Sequence, residues 1–293
     1  MEDSVESGTR EMSRSNGRSS SPEMGSKVRI GILSQDCFAP CDIATLPNLK
    51  DRFDVRWSVF FLNYDRAGFS EAEYAGLAKE WNIPAMVVKL KHRMRSVRTI
   101  LDYLRILRWL REGKPDIVYV NSMGTPWLLP MVFLAFGRRK VVWAVHDVVD
   151  HDNKSRWSVD AIYKRSIARW SGACHLLSRN QKESFERLHP LRTSYYAPHP
   201  PRAFGPGTAQ PPTDKIRFFF FGAIQWYKGV DLLIEAAQLL WERGVRDFEV
   251  VVAGYCADWE TYASRIRIPE IFKLDIRHID NAQIPDAYLG SHY

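Results

Sequence analysis

The chain has 293 residues, 45% hydrophobic and 26% charged, the balance of a globular protein that buries a sizeable core. No run of 18 or more apolar residues occurs, so no segment is expected to span a membrane. A net charge of +7 and a pI near 9.2 point to anionic partners (nucleotide phosphates, acidic lipid headgroups or nucleic acid) without choosing among them.

Residues 1–27 are rich in Ser, Gly and charge and lack the apolar core of a signal peptide, so a disordered tail is expected. From Val28 short apolar runs alternate with helical stretches. Strands are expected at 28–33, 55–62, 85–90, 116–120, 140–145 and 173–178, and helices at 96–112, 156–170 and 179–188. Ser178 followed by Gln181 reads as a capping box at the start of the last helix. This alternation predicts an α/β doubly wound domain over 28–197. Residues 198–213 carry six prolines and read as a linker. The alternation restarts with strands at 216–222, 248–254 and 273–279 and helices near 229–243 and 257–266, so 214–293 is expected to be a second, incomplete doubly wound domain. Cys37, Cys41, Cys174 and Cys256 match neither a disulfide framework nor zinc-ligand spacing, which predicts reduced thiols in a cytoplasmic protein.

The strongest chemical signal is IRFFFFGAIQWYKGVDLLIEAA, residues 216–237. A buried strand runs into Gly222, a loop follows, and Gly229 opens a helix with apolar positions Leu233, Ala237 and Leu240. Glycines at both ends let backbone approach a ligand, the helix N-terminus offers free N–H groups to a phosphate, and Lys228 adds a full positive charge. An ordinary βα turn with a solvated lysine fits the same residues. The segment resembles the retaining GT-B glycosyltransferases of the family 4 group, through Gly222, Lys228, Gly229, Asp231, Leu233, Ile234 and Ala236. The resemblance implies a GT-B architecture of two Rossmann-like domains, an acceptor-side domain followed by a nucleotide-sugar-binding one. It implies a nucleotide-diphospho-sugar as donor substrate, with no cofactor and no metal. Gly222, Gln225, Lys228 and Gly229 would bind the donor phosphates, and Gly254, Ile279, Asp280 and Asn281 would lie near the nucleotide. Where the family carries a phosphate-binding arginine, this chain has Ala223. The family's E-x7-E carboxylate pair is expected beyond Tyr293.

In the first domain PDIVYVNS and KVVWAVHDVVDHD resemble family motifs at strand ends. The resemblance makes His146 and Asp147 the catalytic candidates and Asn121 an acceptor-side residue; from the residues alone, a structural strand-end histidine fits as well. An imidazole at its ordinary pKa exchanges protons near neutral pH. His146, His151, Asp147, Asp150 and Asp152 are too scattered by register to suggest a metal site. The family's glycine pair after the first strand is replaced by SQDCFAPCD (34–42), which leaves backbone around Ala39–Pro40 for acceptor recognition. Residues 89–114 hold nine Lys or Arg against two acids, with Leu90, Met94, Val97, Leu101, Leu104 and Leu107 at helical spacing. Two readings fit: a basic amphipathic surface on anionic lipid, suited to a lipid-linked acceptor at the inner membrane face, or a crossover helix with a solvated cationic side. Nucleic-acid binding lacks supporting motifs. The sequence therefore reads as a glycosyltransferase of polysaccharide or glycolipid synthesis, with a catalytically silent binding or assembly module as the alternative; an oxidoreductase is excluded because no G-x-G-x-x-G follows either first strand.

Overall fold

The computed structural model describes residues 27–62, 69–93, 96–123, 125–148, 159–201 and 205–293. The expected tail up to Ser26, Met94, and the His151, Asp150 and Asp152 group lie outside the described residues. The first unit runs β1 (Arg29–Gln35), α1 (Pro40–Leu49), β2 (Asp54–Phe61), α2 (Glu71–Glu80), β3 (Ala85–Lys89), α3 (Thr99–Glu112), β4 (Ile117–Asn121), α4 (Leu128–Phe136), β5 (Val141–Val145), α5 (Val159–Trp170), β6 (Ala173–Leu176), α6 (Arg179–Leu188) and β7 (Ser194–Tyr196). Its seven strands are all parallel, in the order β3-β2-β1-β4-β5-β6-β7.

Strand residues one apart point to opposite faces, and both faces are covered. Ile32 and Val59 pack with Leu46 of α1 and Tyr74 of α2, whereas their neighbours Leu33 and Phe60 pack with Ile106 of α3 and Val132 of α4. This two-sided burial makes the strands read as unbroken apolar runs. Helices α1, α2 and α4 and strand β7 escaped the sequence pattern. Helix α4 reads LLPMVFLAF, with no polar period to separate it from a strand. Helix α2 is only weakly amphipathic, but a capping box holds its start: Glu73 N–H donates to Ser70 Oγ and Ser70 N–H to the Glu73 carboxylate, at 3.2 and 2.7 Å. At α6 the expected box is half made. Gln181 N–H donates to Ser178 Oγ, but the Gln181 side chain turns away and accepts from Val148 N–H at 2.7 Å, tying the helix to the loop after β5.

The second unit has β8 (Ile216–Phe221), α7 (Val230–Glu242), β9 (Phe248–Ala253), α8 (Glu260–Ala263), β10 (Phe272–Asp275) and α9 (Ile284–Leu289), with the parallel order β10-β9-β8. Two expected elements are shorter: α8 keeps one turn of the stretch 257–266, and β10 ends at Asp275 rather than residue 279. Helix α7 buries Val230, Ile234 and Ala237, while Leu233 is partly covered and Leu240 is exposed, a rotation of the expected face. At the other edge the backbone of His292 and Tyr293 bonds to β8 at Arg217 and Phe219.

The second sheet carries a buried charge. Glu249 on β9, 4% exposed, meets Lys215 Nζ at 3.1 Å, Lys273 Nζ of β10 at 3.0 Å and the Arg217 guanidinium of β8. Burial raises the carboxyl pKa, but the bonds from Arg217, Lys273 and Lys215 overcome that and hold it down at about 2. Three cations from both neighbouring strands thus converge on one carboxylate. Glu249→Ala is expected to destabilise this unit by about 3–5 kcal/mol in urea unfolding, because it leaves the cations uncompensated. The stabilisation in the wild type is present above the ordinary carboxyl value of 4.5 and is lost as pH falls towards about 2, so the difference between the two proteins should shrink in acid.

Candidate functional site

In a parallel sheet the crevice lies at the C-terminal strand ends, where the strand order reverses. Here the reversal falls between β1 and β4, with one crossover through α1 and the other through α4 on opposite faces. Asn121, the last residue of β4, and His146, the first after β5, meet in this region: His146 Nε2 lies 2.9 Å from Asn121 Oδ1. As placed, the amide oxygen can only accept, so the imidazole carries its proton on Nε2 and Nδ1 is left as an acceptor. Phe38, from the loop after β1, stacks on the His146 ring at 3.8 Å, and the His199 ring stands 5.7 Å away.

Behind Asn121 is a residue the sequence reading missed. Asp42, in the first turn of α1, is 4% exposed and accepts a hydrogen bond from Trp57 Nε1 at 2.8 Å. Burial pushes its carboxyl up to about 6, with Ser34, Trp57 and Asn121 pulling the other way. A carboxylate, an amide and an imidazole thus stand in line from the core to the strand ends. An acid among apolar residues at the start of a helix was the available signal, but only the tertiary contact with Trp57 distinguishes it from a solvated helix-start aspartate. His175, one strand over on β6, joins the cluster through Tyr119, whose hydroxyl lies 2.8 Å from His175 Nδ1, and His175 Nε2 approaches Ala197 O at 3.0 Å.

Two expectations change here. His146 does not titrate near neutrality: burial, together with the nearby His199 and His175, lowers its pKa to about 3. It is a neutral hydrogen-bonding group, and an imidazolium form is suppressed. Nor is the Ala39–Pro40 backbone open to a ligand, since Ala39 is fully buried, its N–H bonds to Gln35 O, and Pro40 has no N–H to offer. Asp147 follows the bend at His146 and is half-buried.

The second cluster lies at the C-terminal ends of β8 and β9. Gly222 and Gly254 end these strands with φ of 132° and 142°, and a Cβ on Gly254 would sit 1.9 Å from Gly222 O. The two strand ends therefore touch backbone to backbone, an approach only glycine permits. Lys228 Nζ sits over this contact, 3.4 Å from where a Gly222 Cβ would be. Gly229, in the left-handed region at φ 70°, turns the chain into α7, whose first N–H groups face the same end. Gln225 and Ala223 are exposed in the intervening loop, and Gln225 O accepts from Lys228 N–H. Tyr255 stacks on His278 at 4.5 Å with the rings 5° apart, which brings Ile279, Asp280 and Asn281 to the strand end that holds Gly254. Gly222, Lys228, Gly229 and Gly254 are thus gathered at one point. Among the described residues no three His, Cys, Asp or Glu side chains are grouped so as to hold a metal ion.

Asp42→Asn keeps an acceptor for Trp57 but removes a buried carboxylate whose pKa is raised in the fold. Such a group favours folding fully below its ordinary 3.8 and loses that contribution as pH rises through about 6. The variant should therefore gain stability over the wild type between pH 4.5 and 7.5, on the order of 2–3 kcal/mol, read from urea midpoints at the two pH values. In the same range the His146 ring resonances should stay constant, whereas a solvated histidine titrates near ~6.5.

A family model described as Glycosyltransferase Family 4 matches residues 52–195, most of the first unit. No curated protein matches the chain. Among solved structures the chain is similar to Anabaena HepE in complex with UDP-glucose, at 15% identity and a TM-score of 0.57, covering 88% of this chain and 70% of that one. It is similar to a UDP-N-acetylglucosamine 2-epimerase at 12% identity and a TM-score of 0.60, covering 91% and 73%. A structure described as trehalose-6-phosphate from E. coli bound with UDP-2-fluoro glucose matches at 10% identity and a TM-score of 0.51, covering 88% and 75%. At these identities the likeness is one of fold: the chain has the Rossmann-like α/β architecture of GT-B proteins, and its first unit matches a Glycosyltransferase Family 4 domain.

Proposed function

We propose that the protein is a glycosyltransferase that moves a sugar from a nucleotide-diphospho-sugar to an acceptor hydroxyl. The observation that carries this reading is Lys228 Nζ poised over the Gly222–Gly254 contact at the N-terminus of α7. A diphosphate placed there would meet an ammonium, free helix N–H groups and glycine backbone with no side chain in the way. The family match over 52–195 supports transfer, and the UDP-bound structural neighbours support a nucleotide-sugar donor. Epimerases share the fold, so the fold by itself does not select the reaction.

In the proposed mechanism the bond from the anomeric carbon to the diphosphate oxygen breaks as the acceptor hydroxyl bonds to that carbon on the same face, and the hydroxyl proton passes to the departing phosphate oxygen. Lys228 and the α7 N–H groups stabilise the charge that builds on the leaving phosphate. The flat Tyr255–His278 stack and the segment Ile279–Asn281 lie on the nucleotide side. His146, neutral and with Nδ1 as acceptor, orients a sugar or acceptor hydroxyl; Asn121 fixes its tautomer, and Asp42 and the Phe38 carbonyl hold the Asn121 amide. The first unit takes the acceptor, a sugar or lipid-linked sugar of polysaccharide or glycolipid synthesis, in the cytoplasm, with retention of configuration as in the family it resembles. A second reading, a binding or assembly module without turnover, is favoured by Ala223, which places no second cation in the exposed loop beside Lys228.

Calorimetric titration with UDP, GDP and ADP, paired with a transfer assay, separates these readings. Lys228→Ala should weaken binding of the preferred nucleotide by about 10–100-fold, the worth of a charge-assisted hydrogen bond. His146→Ala should leave that affinity within about twofold and abolish transfer. Nucleotide binding without turnover by the wild type would establish the binding module, and unchanged affinity in Lys228→Ala would overturn the phosphate site.

A further inference from the structure

The outward face of α3 is apolar where a solvated helix would be polar. Its inward side is accounted for: Tyr103, Ile106 and Leu110 are fully buried in the core. On the outward side Val97, just before the helix, and Leu101 and Leu104 within it are 66%, 70% and 52% exposed, and Leu134 on the neighbouring α4 is 85% exposed. Positions 97, 101, 104, 108 and 111 follow helical spacing, so one stripe runs from these aliphatic residues into Arg108 and Arg111. Between α3 and α4 lies a groove of about 330 Å³ lined by Leu104, Leu107, Met131 and Leu134, with Arg108 and Arg111 at its rim. Lys91, Arg93, Arg98 and Arg105 extend the cationic border, and all are exposed. The acids on the helix offset little of this. Asp102 accepts from the backbone of Lys91, and Glu112 reaches Arg108 only at 3.6 Å with both side chains exposed.

We infer that the α3–α4 face docks on an anionic lipid bilayer, with Leu101, Leu104 and Leu134 entering the acyl boundary and the arginines on the headgroup phosphates. Contiguous exposed aliphatics framed by guanidiniums are the composition of an interfacial surface, whereas singly scattered exposed leucines are ordinary. Charge selects the occupant. A second copy would set arginine against arginine across a two-fold contact, and a nucleic-acid backbone would give the leucines nothing apolar to cover them. The inference goes beyond sugar transfer and stands without it. It also differs from a spanning segment, since no helix among the described residues is long and apolar enough to cross a membrane.

The test is co-sedimentation of the full chain with phosphatidylcholine vesicles containing or lacking phosphatidylglycerol, at low and high salt. The wild type should bind the anionic vesicles, bind neutral ones at least about tenfold less, and lose affinity in salt. Arg105→Glu with Arg108→Glu, and separately Leu101→Ser with Leu134→Ser, should each weaken partitioning by about tenfold or more, while Arg105→Lys with Arg108→Lys retains it. Circular dichroism and an unchanged thermal unfolding midpoint show that each variant is folded. Failure of the wild type to bind anionic vesicles, binding unaffected by both sets of variants, self-association abolished by Leu101→Ser, or binding to an oligonucleotide in place of vesicles would each overturn the inference.

Discussion

The hydrogen bond from Trp57 Nε1 to the buried Asp42 carboxylate is the contact on which the first unit's site depends. It ties α1 to β2 inside the core, and through Asn121 it reaches β4 and then His146 after β5. Four elements converge there because the strand order reverses between β1 and β4, which opens the sheet at its C-terminal edge. A carboxylate withdrawn from water is costly unless it is bonded. One of the bonds that satisfy it, from Asn121, also orients the amide and, beyond it, the imidazole.

The second unit solves a related problem with glycine and charge. Gly222 and Gly254 let two strand ends close on each other so tightly that no side chain fits between them. That closure sets Lys228 and the start of α7 over bare backbone. Deeper in the same sheet, Glu249 gathers Arg217, Lys215 and Lys273 and binds the three strands through their side chains. One end of this sheet thus presents an ammonium outward, while its interior holds three cations around a single carboxylate.

The two units also differ in how they use histidine. His146 is held neutral by burial and by two neighbouring imidazoles, so it offers hydrogen bonds of fixed direction. His278 instead lies flat on Tyr255 at the exposed end of the second sheet. At His146 burial makes an imidazolium unfavourable. The α3–α4 face shows the same logic in reverse, with apolar side chains left out where water alone gives no reason for them.

The sequence by itself determined the fold class, because alternating apolar runs and amphipathic stretches are local patterns that each element must satisfy to be buried. The bounds of α6 and the parallel strands through β6 were legible for that reason, as was the cluster around Gly222, Lys228 and Gly229, where turn chemistry lies within a few residues. Helix α4 was not legible, since an element apolar on all sides carries no period. Gly254 could be read as a strand end, but not as a contact with Gly222, which lies 32 residues earlier in the chain. The role of Asp42, the depressed pKa of His146 and the outward turn of Leu101 were settled only by tertiary structure. Each depends on which distant side chains arrive beside the residue and on how much water they leave there, and neither quantity is written in local sequence.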